Sequence, residues 1–123
     1  MEVKQYFFDT YAFFRIIEGS KEYQELTNMV GIVTTKFNLM ELYYGLLRDY
    51  NVDIANKYYD ILKEYCLENI DDDVIKMGCV LKRSNRTLSY VDCLGYSIAC
   101  KLNITFLTGD KEFENMDNVK FIK

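Results

Sequence analysis

The sequence predicts an α/β domain in which a parallel β-sheet is flanked by α-helices on both faces. Short apolar segments of strand-like character alternate with longer segments whose apolar residues recur at helical spacing. We expect one domain, residues 1–123, because the chain is long enough for a hydrophobic core and contains no linker-like stretch or repeat. A hydrophobic fraction of 50% excludes a disordered chain.

Five short apolar segments predict the strands. They are residues 3–8, 32–35, 66–70, 104–107 and 119–122. The first ends in Phe7-Phe8, which fits a buried strand. Because these segments alternate with helices, the sheet they form is expected to be parallel.

Six helical segments lie between the strands. They run from Asp9-Thr10 to Gly19-Ser20, over 21–30, from about Lys36 to Tyr50, over 54–65, over 71–81, and from about Ser89 to Leu102. The segment 54–65 carries a clear amphipathic stripe. The last segment is apolar nearly all round, which predicts a buried helix.

The absence of histidine removes several classes of enzyme. A serine or cysteine nucleophile activated by histidine cannot be built from this chain. Acid–base chemistry must therefore use carboxylates, lysine, tyrosine or metal-bound water. The four cysteines form no Cys-x-x-Cys pair and predict buried, reduced thiols rather than a zinc site.

Charge and hydropathy restrict the binding partners and the cellular location that the sequence predicts. A net charge of −4 argues against a protein that coats nucleic acid with a broad basic surface, but it leaves open a nuclease with a small basic patch beside a metal. The N-terminus does not read as a signal peptide, and no apolar run is long enough to span a bilayer. We therefore expect a cytoplasmic protein.

Two acids follow two of the predicted strands. Asp9 follows the first strand, and Asp110 follows the strand at 104–107. The functional crevice of a parallel sheet lies outside the carboxyl ends of its strands, so both acids fall at that edge. Each also has an ordinary alternative role, because aspartate at such a position commonly caps the helix that follows.

Two further acids lie within apolar helices. Glu41 has no cation three or four residues away that could pair with it. The alternative interpretation is that Glu41 lies on an exposed strip of its helix. Gly45 is expected to leave open space next to Glu41. Asp92 is the sole acid of a buried helix, and Ser89-Tyr90-Val91-Asp92 also matches a capping pattern.

Together these acids predict a divalent-metal site. Unpaired carboxylates gathered at one edge would repel one another, and a hard cation relieves that repulsion. All-oxygen ligands select Mg²⁺ or Mn²⁺, which can activate water and stabilise charge on a phosphate. The acidic run 71–73 is interpreted instead as a helix cap that complements the helix dipole.

The chain resembles the PIN-domain ribonucleases that serve as toxins in VapBC toxin–antitoxin pairs. The resemblance covers the whole chain and rests on FFDTYAFF, TTKFNLMELYYGL, LSYVDCLGYSIACKLN, and FLTGDKEFE followed by VKFI. It implies that the acidic quartet of the family corresponds to four residues, with Thr108 as a supporting hydroxyl. The four are Asp9, Glu41, Asp92 and Asp110.

The resemblance also implies an activity and partners. The activity is Mg²⁺- or Mn²⁺-dependent endonucleolytic cleavage of RNA. The partners are an antitoxin whose segment occupies a groove near the site and a second copy of the chain in a homodimer. The best local candidates for phosphate contacts are Lys82, Arg83, Asn85 and Arg86, with Arg15 and Lys36 as further candidates.

Three other functions share part of this sequence pattern. A phosphatase of the haloacid dehalogenase type needs a second aspartate two residues after the first, where this chain has Tyr11. A response-regulator receiver needs a phosphate-accepting aspartate after a central strand, and no residue matches. The third is a PIN-like module that binds RNA or protein without cutting, which intact acids at all four positions disfavour.

Overall fold

Four parallel strands form the central sheet of the computed structural model, which describes residues 3–123. They are β1 (Gln5–Phe8), β2 (Gly31–Val33), β3 (Thr105–Thr108) and β4 (Val119–Phe121). The strand order is β2-β1-β3-β4, with Phe7 paired to both Val33 and Phe106. Because every pair is parallel, all four carboxyl ends meet at one edge of the sheet.

Within residues 3–123, six α-helices cover the sheet. They are α1 (Thr10–Ile17), α2 (Lys21–Thr27), α3 (Lys36–Asp49), α4 (Val52–Leu62), α5 (Asp72–Ser84) and α6 (Tyr90–Leu102). Short 3₁₀ turns at Lys63–Tyr65 and Lys111–Phe113 complete the set. Among residues 3–123, no helix is both long enough and apolar enough to cross a membrane.

The helices divide between the two faces of the sheet, as predicted. Successive residues of a strand point to opposite faces. Phe8 packs into a core with buried residues of α1 to α4, whereas Phe7 packs into a second core with buried residues of α5 and α6. Likewise, Leu107 lies in the first core with Phe8, and Phe106 lies in the second core with Phe7. The central strands therefore hold both halves of the domain together.

One predicted strand is absent. Residues 66–70 form no strand, and only Cys66 makes an isolated bridge with Thr34. The backbone N–H of Leu67 donates to the carbonyl of Thr34, and the chain then turns toward α5. A single bridge satisfies too few backbone groups to extend the sheet.

The cysteines are less buried than expected. All four are free thiols, but only Cys93 is buried and Cys66 is half-buried. Cys79 on α5 and Cys100 on α6 are exposed. The prediction of four buried thiols is therefore wrong for these two, because their helices turn one side to solvent.

Candidate active site

An acidic cleft opens at the carboxyl edge of the sheet. It has a volume of about 270 Å³, and Asp9, Glu41, Asp92 and Asp110 all line it. Its other lining residues are Thr10, Tyr11, Phe14, Tyr44, Gly45 and Arg48. The four acids come from the ends of β1 and β3 and from α3 and α6, so both halves of the domain contribute to the cleft.

Asp9 is the most buried of the four acids, with 3% of its surface exposed. It caps α1, because its Oδ1 accepts a hydrogen bond from the backbone N–H of Ala12 at 3.2 Å. Its Oδ2 accepts from the hydroxyl of Thr108 at 2.7 Å. Burial raises the pKa of Asp9 to about 7, with a further contribution from the nearby charge of Asp92.

Thr108 joins the ends of the two central strands. Its fully buried hydroxyl donates to Asp9, and the same oxygen accepts the backbone N–H of Asp110 at 3.0 Å. The backbone N–H of Asp9 also donates to the carbonyl of Leu107 at 3.2 Å. These bonds fix the position of Asp9 relative to the turn that carries Asp110.

Glu41 is half-buried on α3 and faces α1. The hydroxyl of Thr10 donates to its Oε1 at 2.7 Å. No cation pairs with it among residues 3–123. Burial raises the pKa of Glu41, and the charge of Asp92 raises it further. Because Glu41 is half-buried and accepts the hydrogen bond from Thr10, the alternative that it lies on an exposed strip of the helix is wrong.

A chain of hydrogen-bonded polar side chains leads from Glu41 to the start of α3. Thr10 accepts a hydrogen bond from Asn38 Nδ2 at 3.2 Å, and Asn38 Oδ1 accepts from the hydroxyl of Thr35 at 2.6 Å. Asn38 and Thr35 are both buried. Sequence reasoning missed Thr10 and Asn38, although Thr10 follows Asp9 and Asn38 lies one turn before Glu41.

The space expected beside Gly45 is filled. A Cβ atom at this position would lie 2.2 Å from the ring of Phe14. The glycine therefore admits an aromatic ring from α1 against α3, and this contact forms part of the cleft wall. The prediction of open space was wrong because the partner comes from another helix.

Asp92 has a capping role and also lies in the cleft. Its Oδ2 accepts the backbone N–H of Ser89 at 3.0 Å, and its own backbone N–H donates to the Ser89 hydroxyl at 3.0 Å. Burial raises the pKa of Asp92, and the charges of Asp110 and Glu112 raise it further. The charge of Asp92 in turn contributes to the raised pKa values of Asp9 and Glu41, so these three carboxylates interact across the cleft.

Asp110 caps the 3₁₀ turn that follows β3. Its Oδ1 accepts the backbone N–H of Glu112 at 3.0 Å. Gly109 makes this turn possible, because a Cβ atom there would lie 2.2 Å from the carbonyl oxygen of Ile122 and 2.3 Å from the ring of Tyr11. The close approach of β4 therefore requires glycine directly before Asp110.

The donor chemistry of the cleft suits a hard divalent cation. Its acidic side chains offer only oxygen ligands, and neighbouring carboxylates contribute to the raised pKa values of Asp9, Glu41 and Asp92. Within residues 3–123, however, no three His, Cys, Asp or Glu side chains are close enough to form a ready-made metal cage. Mg²⁺ is commonly held by one or two carboxylates together with water and substrate phosphates, so the residues present fit it.

The acidic run 71–73 lies outside the cleft. Asp71 occupies the N-cap position of α5 but makes no capping hydrogen bond with its side chain, and Lys101 pairs with Asp71 and Asp73 at 3.8 and 3.2 Å. These exposed pairs join α5 to α6. Neither Arg15 nor Lys36 lines the cleft, whereas Arg48, which sequence reasoning did not select, does.

The fold and cleft define a small α/β domain with acids gathered at the carboxyl edge of a parallel sheet. The sequence model of the PIN domain matches residues 6–119. The chain therefore belongs to the PIN domain family. No curated protein sequence matches it significantly.

Solved structures of VapBC toxins and complexes share this fold. A sarcin-ricin loop cleaving toxin, VapC20 of Mycobacterium tuberculosis, aligns over 97% of this chain and 100% of its own at a TM-score of 0.77 and 18% identity. A toxin–antitoxin complex from Klebsiella pneumoniae aligns over 94% of this chain and 96% of its own, at a TM-score of 0.76 and 17% sequence identity. DNA-bound VapBC from Salmonella typhimurium aligns over 97% of each chain, at a TM-score of 0.73 and 17% sequence identity. At these identities the likeness establishes the fold alone.

Proposed function

We propose that this protein is a metal-dependent endoribonuclease. The observation that carries the proposal is the lining of one cleft by Asp9, Glu41, Asp92 and Asp110, which arrive from four different elements. Such acids destabilise one another unless a cation joins them. Membership of the PIN domain family and the fold shared with a toxin that cleaves the sarcin-ricin loop support RNA as the substrate.

These four acids would hold Mg²⁺ or Mn²⁺ together with water molecules and phosphate oxygens of the substrate. The bound ion would lower the pKa of a water molecule and stabilise negative charge on the phosphate under attack. The chain contains no histidine, and its carboxylates in the cleft would orient the attacking water.

Polar neighbours keep three of these carboxylates in position. Thr108 donates to Asp9, Thr10 donates to Glu41, and the backbone N–H of Ser89 donates to Asp92. Hydrogen bonds of this kind fix the rotamer of a ligand before it binds. They also favour the ionised carboxylate, which opposes the effect of burial.

We further propose that the nuclease is the toxin of a type II toxin–antitoxin pair. An apolar groove of about 740 Å³ lies between α3 and α4 and shares Tyr44 with the acidic cleft. Phe37, Met40 and Leu47 line it and are 47%, 61% and 41% exposed. A segment of the antitoxin placed there would reach the mouth of the cleft, and the toxin would pair as a homodimer.

Cleavage of a mixed panel of structured and single-stranded RNAs tests the nuclease. Wild type in Mn²⁺, wild type in EDTA and Asp92→Asn in Mn²⁺ are compared, with unfolding curves to verify that each protein is folded. Cutting by the first sample alone supports the proposal. Equal cutting in all three indicates a contaminant. No cutting by folded wild type on any RNA, including a sarcin-ricin loop fragment, contradicts it and favours a binding module.

A further inference from the structure

A basic groove lies at the turn between α5 and α6, outside the acidic cleft. It has a volume of about 400 Å³ and is lined by Cys79, Lys82, Arg83, Arg86 and Tyr90. Three of these five residues are cations and none is an acid, in a chain whose net charge is −4. The groove is therefore a local positive surface on an acidic protein, and it suits a polyanion.

The two guanidinium groups of the basic groove are free to bind. Arg83 and Arg86 are exposed, and neither forms an ion pair within residues 3–123. Elsewhere on the same helix pair, Lys101 is already engaged by Asp71 and Asp73. Unpaired arginines suit phosphate, because the planar fork of donors matches its oxygens.

Lys82 has a different role, because it orders the turn. Its Nζ donates to the carbonyl of Leu88 at 2.7 Å and lies 3.4 Å from that of Arg86. The same ammonium group lies 4.8 Å from the ring centroid of Tyr90. These contacts give the turn and the ring a defined position before any ligand binds.

Tyr90 presents an unusual aromatic surface. It is the first residue of α6 and is 72% exposed, more than any other large hydrophobic side chain of the described residues. Its ring is supported by Lys82 on one side and leaves other surface open to solvent. An exposed ring beside arginines is the usual platform on which an unpaired base stacks.

The basic groove and the acidic cleft belong to one rigid unit. Tyr90 lies two residues before Asp92 in the first turn of α6. The capping box between Ser89 and Asp92 fixes the start of that helix, so the two residues keep fixed positions about 3 Å apart along its axis, with side chains that leave the helix on different sides. A nucleic acid strand held in the groove would therefore have to pass around the N-terminal end of α6 to reach the cleft.

We propose that the basic groove binds an unpaired stretch of the RNA substrate next to the cleavage point. Arg83 and Arg86 bind its phosphates, and Tyr90 stacks on one of its bases. An A-form duplex keeps its bases stacked within the helix, so the groove selects single-stranded segments or loops. This inference rests on the proposed nuclease function for its substrate, although the binding itself can be measured without cleavage.

Fluorescence anisotropy with a labelled single-stranded RNA of mixed sequence tests the binding. EDTA is present to prevent cleavage, and the same RNA annealed to its complement is measured in parallel. Arg83→Ala/Arg86→Ala should reduce the slope of log affinity against log salt by about 1.4, since each lost contact with single-stranded nucleic acid contributes about 0.7. Lys4→Ala/Lys57→Ala removes the same charge elsewhere and should leave the slope unchanged.

Tyrosine variants separate stacking from charge. Tyr90→Ala should weaken binding of the single strand by at least about fivefold, whereas Tyr90→Phe keeps the ring and should bind like wild type. Binding of the duplex should be weaker than that of the single strand and insensitive to Tyr90→Ala. All positions are at the surface, and unfolding curves verify that the variants remain folded.

The outcomes distinguish this inference from the nuclease proposal. If the groove variants bind like wild type while wild type cleaves RNA in Mn²⁺, the inference is wrong and the nuclease stands. If they lose affinity while wild type never cleaves, the groove binds RNA and the nuclease is wrong. Failure of wild type to bind single-stranded RNA, or equal losses in the Lys4→Ala/Lys57→Ala control, overturns the inference.

Discussion

The hydroxyl of Thr108 donates a 2.7 Å hydrogen bond to the carboxylate of Asp9, 99 positions earlier in the chain. The bond joins the ends of β3 and β1, which are neighbours in the sheet. Because both groups are buried, neither has water as an alternative partner. The position of Asp9 in the cleft therefore depends on a side chain from the other end of the sequence.

Replacement of Thr108 separates this bond from packing. Thr108→Val preserves the shape but leaves two buried groups without their partner, so we expect a loss of about 1–3 kcal/mol in the free energy of unfolding. RNA cleavage should fall at least about tenfold, because Asp9 loses its orientation. Chemical denaturation and cleavage assays measure both effects. Thr108→Ser keeps the hydroxyl, and equal losses in the two variants would contradict this explanation.

The raised pKa of Asp9 predicts how stability depends on pH. Its carboxyl has an ordinary pKa of 3.8 and titrates near 7 in the folded chain. Between these values the folded state binds more protons, so the free energy of unfolding falls as pH rises. Metal-free wild type should therefore lose melting temperature between about pH 5 and pH 8.

Asp9→Asn is the control for this dependence. The amide has no charge to bury and keeps an oxygen that can cap α1. Its melting temperature should fall less than that of wild type over the same range, and at about pH 8 it should be the more stable protein. Differential scanning fluorimetry of both proteins in EDTA makes the comparison. Parallel curves would show that Asp9 is not the group responsible.

Divalent metal should stabilise the folded protein. A ligand that binds only the native state raises its stability by mass action, so about 10 mM Mg²⁺ should increase the melting temperature by several degrees. Glu41→Gln removes one carboxylate from the cleft and should reduce the increase. Glu114→Gln changes an exposed acid outside the cleft and should respond like wild type. An equal response from all three proteins would assign the effect to bulk salt.

Asp92 is expected to have two separable roles. Asp92→Asn keeps an oxygen that accepts from the Ser89 backbone, so its stability should stay within about 1 kcal/mol of wild type while cleavage is lost. Ser89→Ala removes the hydroxyl of the capping box and should cost about 0.5–2 kcal/mol, with cleavage largely retained. Denaturation and cleavage measured on both variants test this. The reverse pattern would make Asp92 a structural residue only.

Gly45→Ala tests the wall of the cleft. At an exposed helix position, glycine to alanine raises the free energy of unfolding by up to about 1 kcal/mol. Here the new methyl group would meet the ring of Phe14, and such overpacking lowers the free energy of unfolding by about 1–3 kcal/mol. We expect a net loss of stability by urea denaturation. Adding Phe14→Leu should recover part of the loss, whereas a stabilised single variant would show that the ring moves freely.

The alternation of strands and helices made the sheet edge predictable. Since Asp9 and Asp110 each follow a strand, a parallel sheet brings them to the same edge whatever the detailed packing. The capping pattern of Ser89 and Asp92 was equally visible, because both residues lie within four consecutive positions. These features depend on local sequence or on one topological rule.

Contacts between helices were not predictable in the same way. The bond from Thr10 to Glu41 spans 31 positions and depends on how α1 packs on α3. The ring of Phe14 against Gly45 depends on the same packing. The apolar segment 66–70 was assigned as a strand from composition, but the structure gives it only one bridge. Tertiary contacts decide such cases, and composition does not report them.

The strand order β2-β1-β3-β4 also has a consequence for synthesis. β3, which completes the centre of the sheet, is made after all six helices, and Asp110 follows it. A nascent chain that ends before β3 carries Asp9 and Glu41 but has no neighbour on one side of β1. A chain that stops before β3 therefore lacks Asp110 and the Thr108 hydroxyl that holds Asp9, so the cleft with all four acids forms only after β3 and the turn behind it have been made.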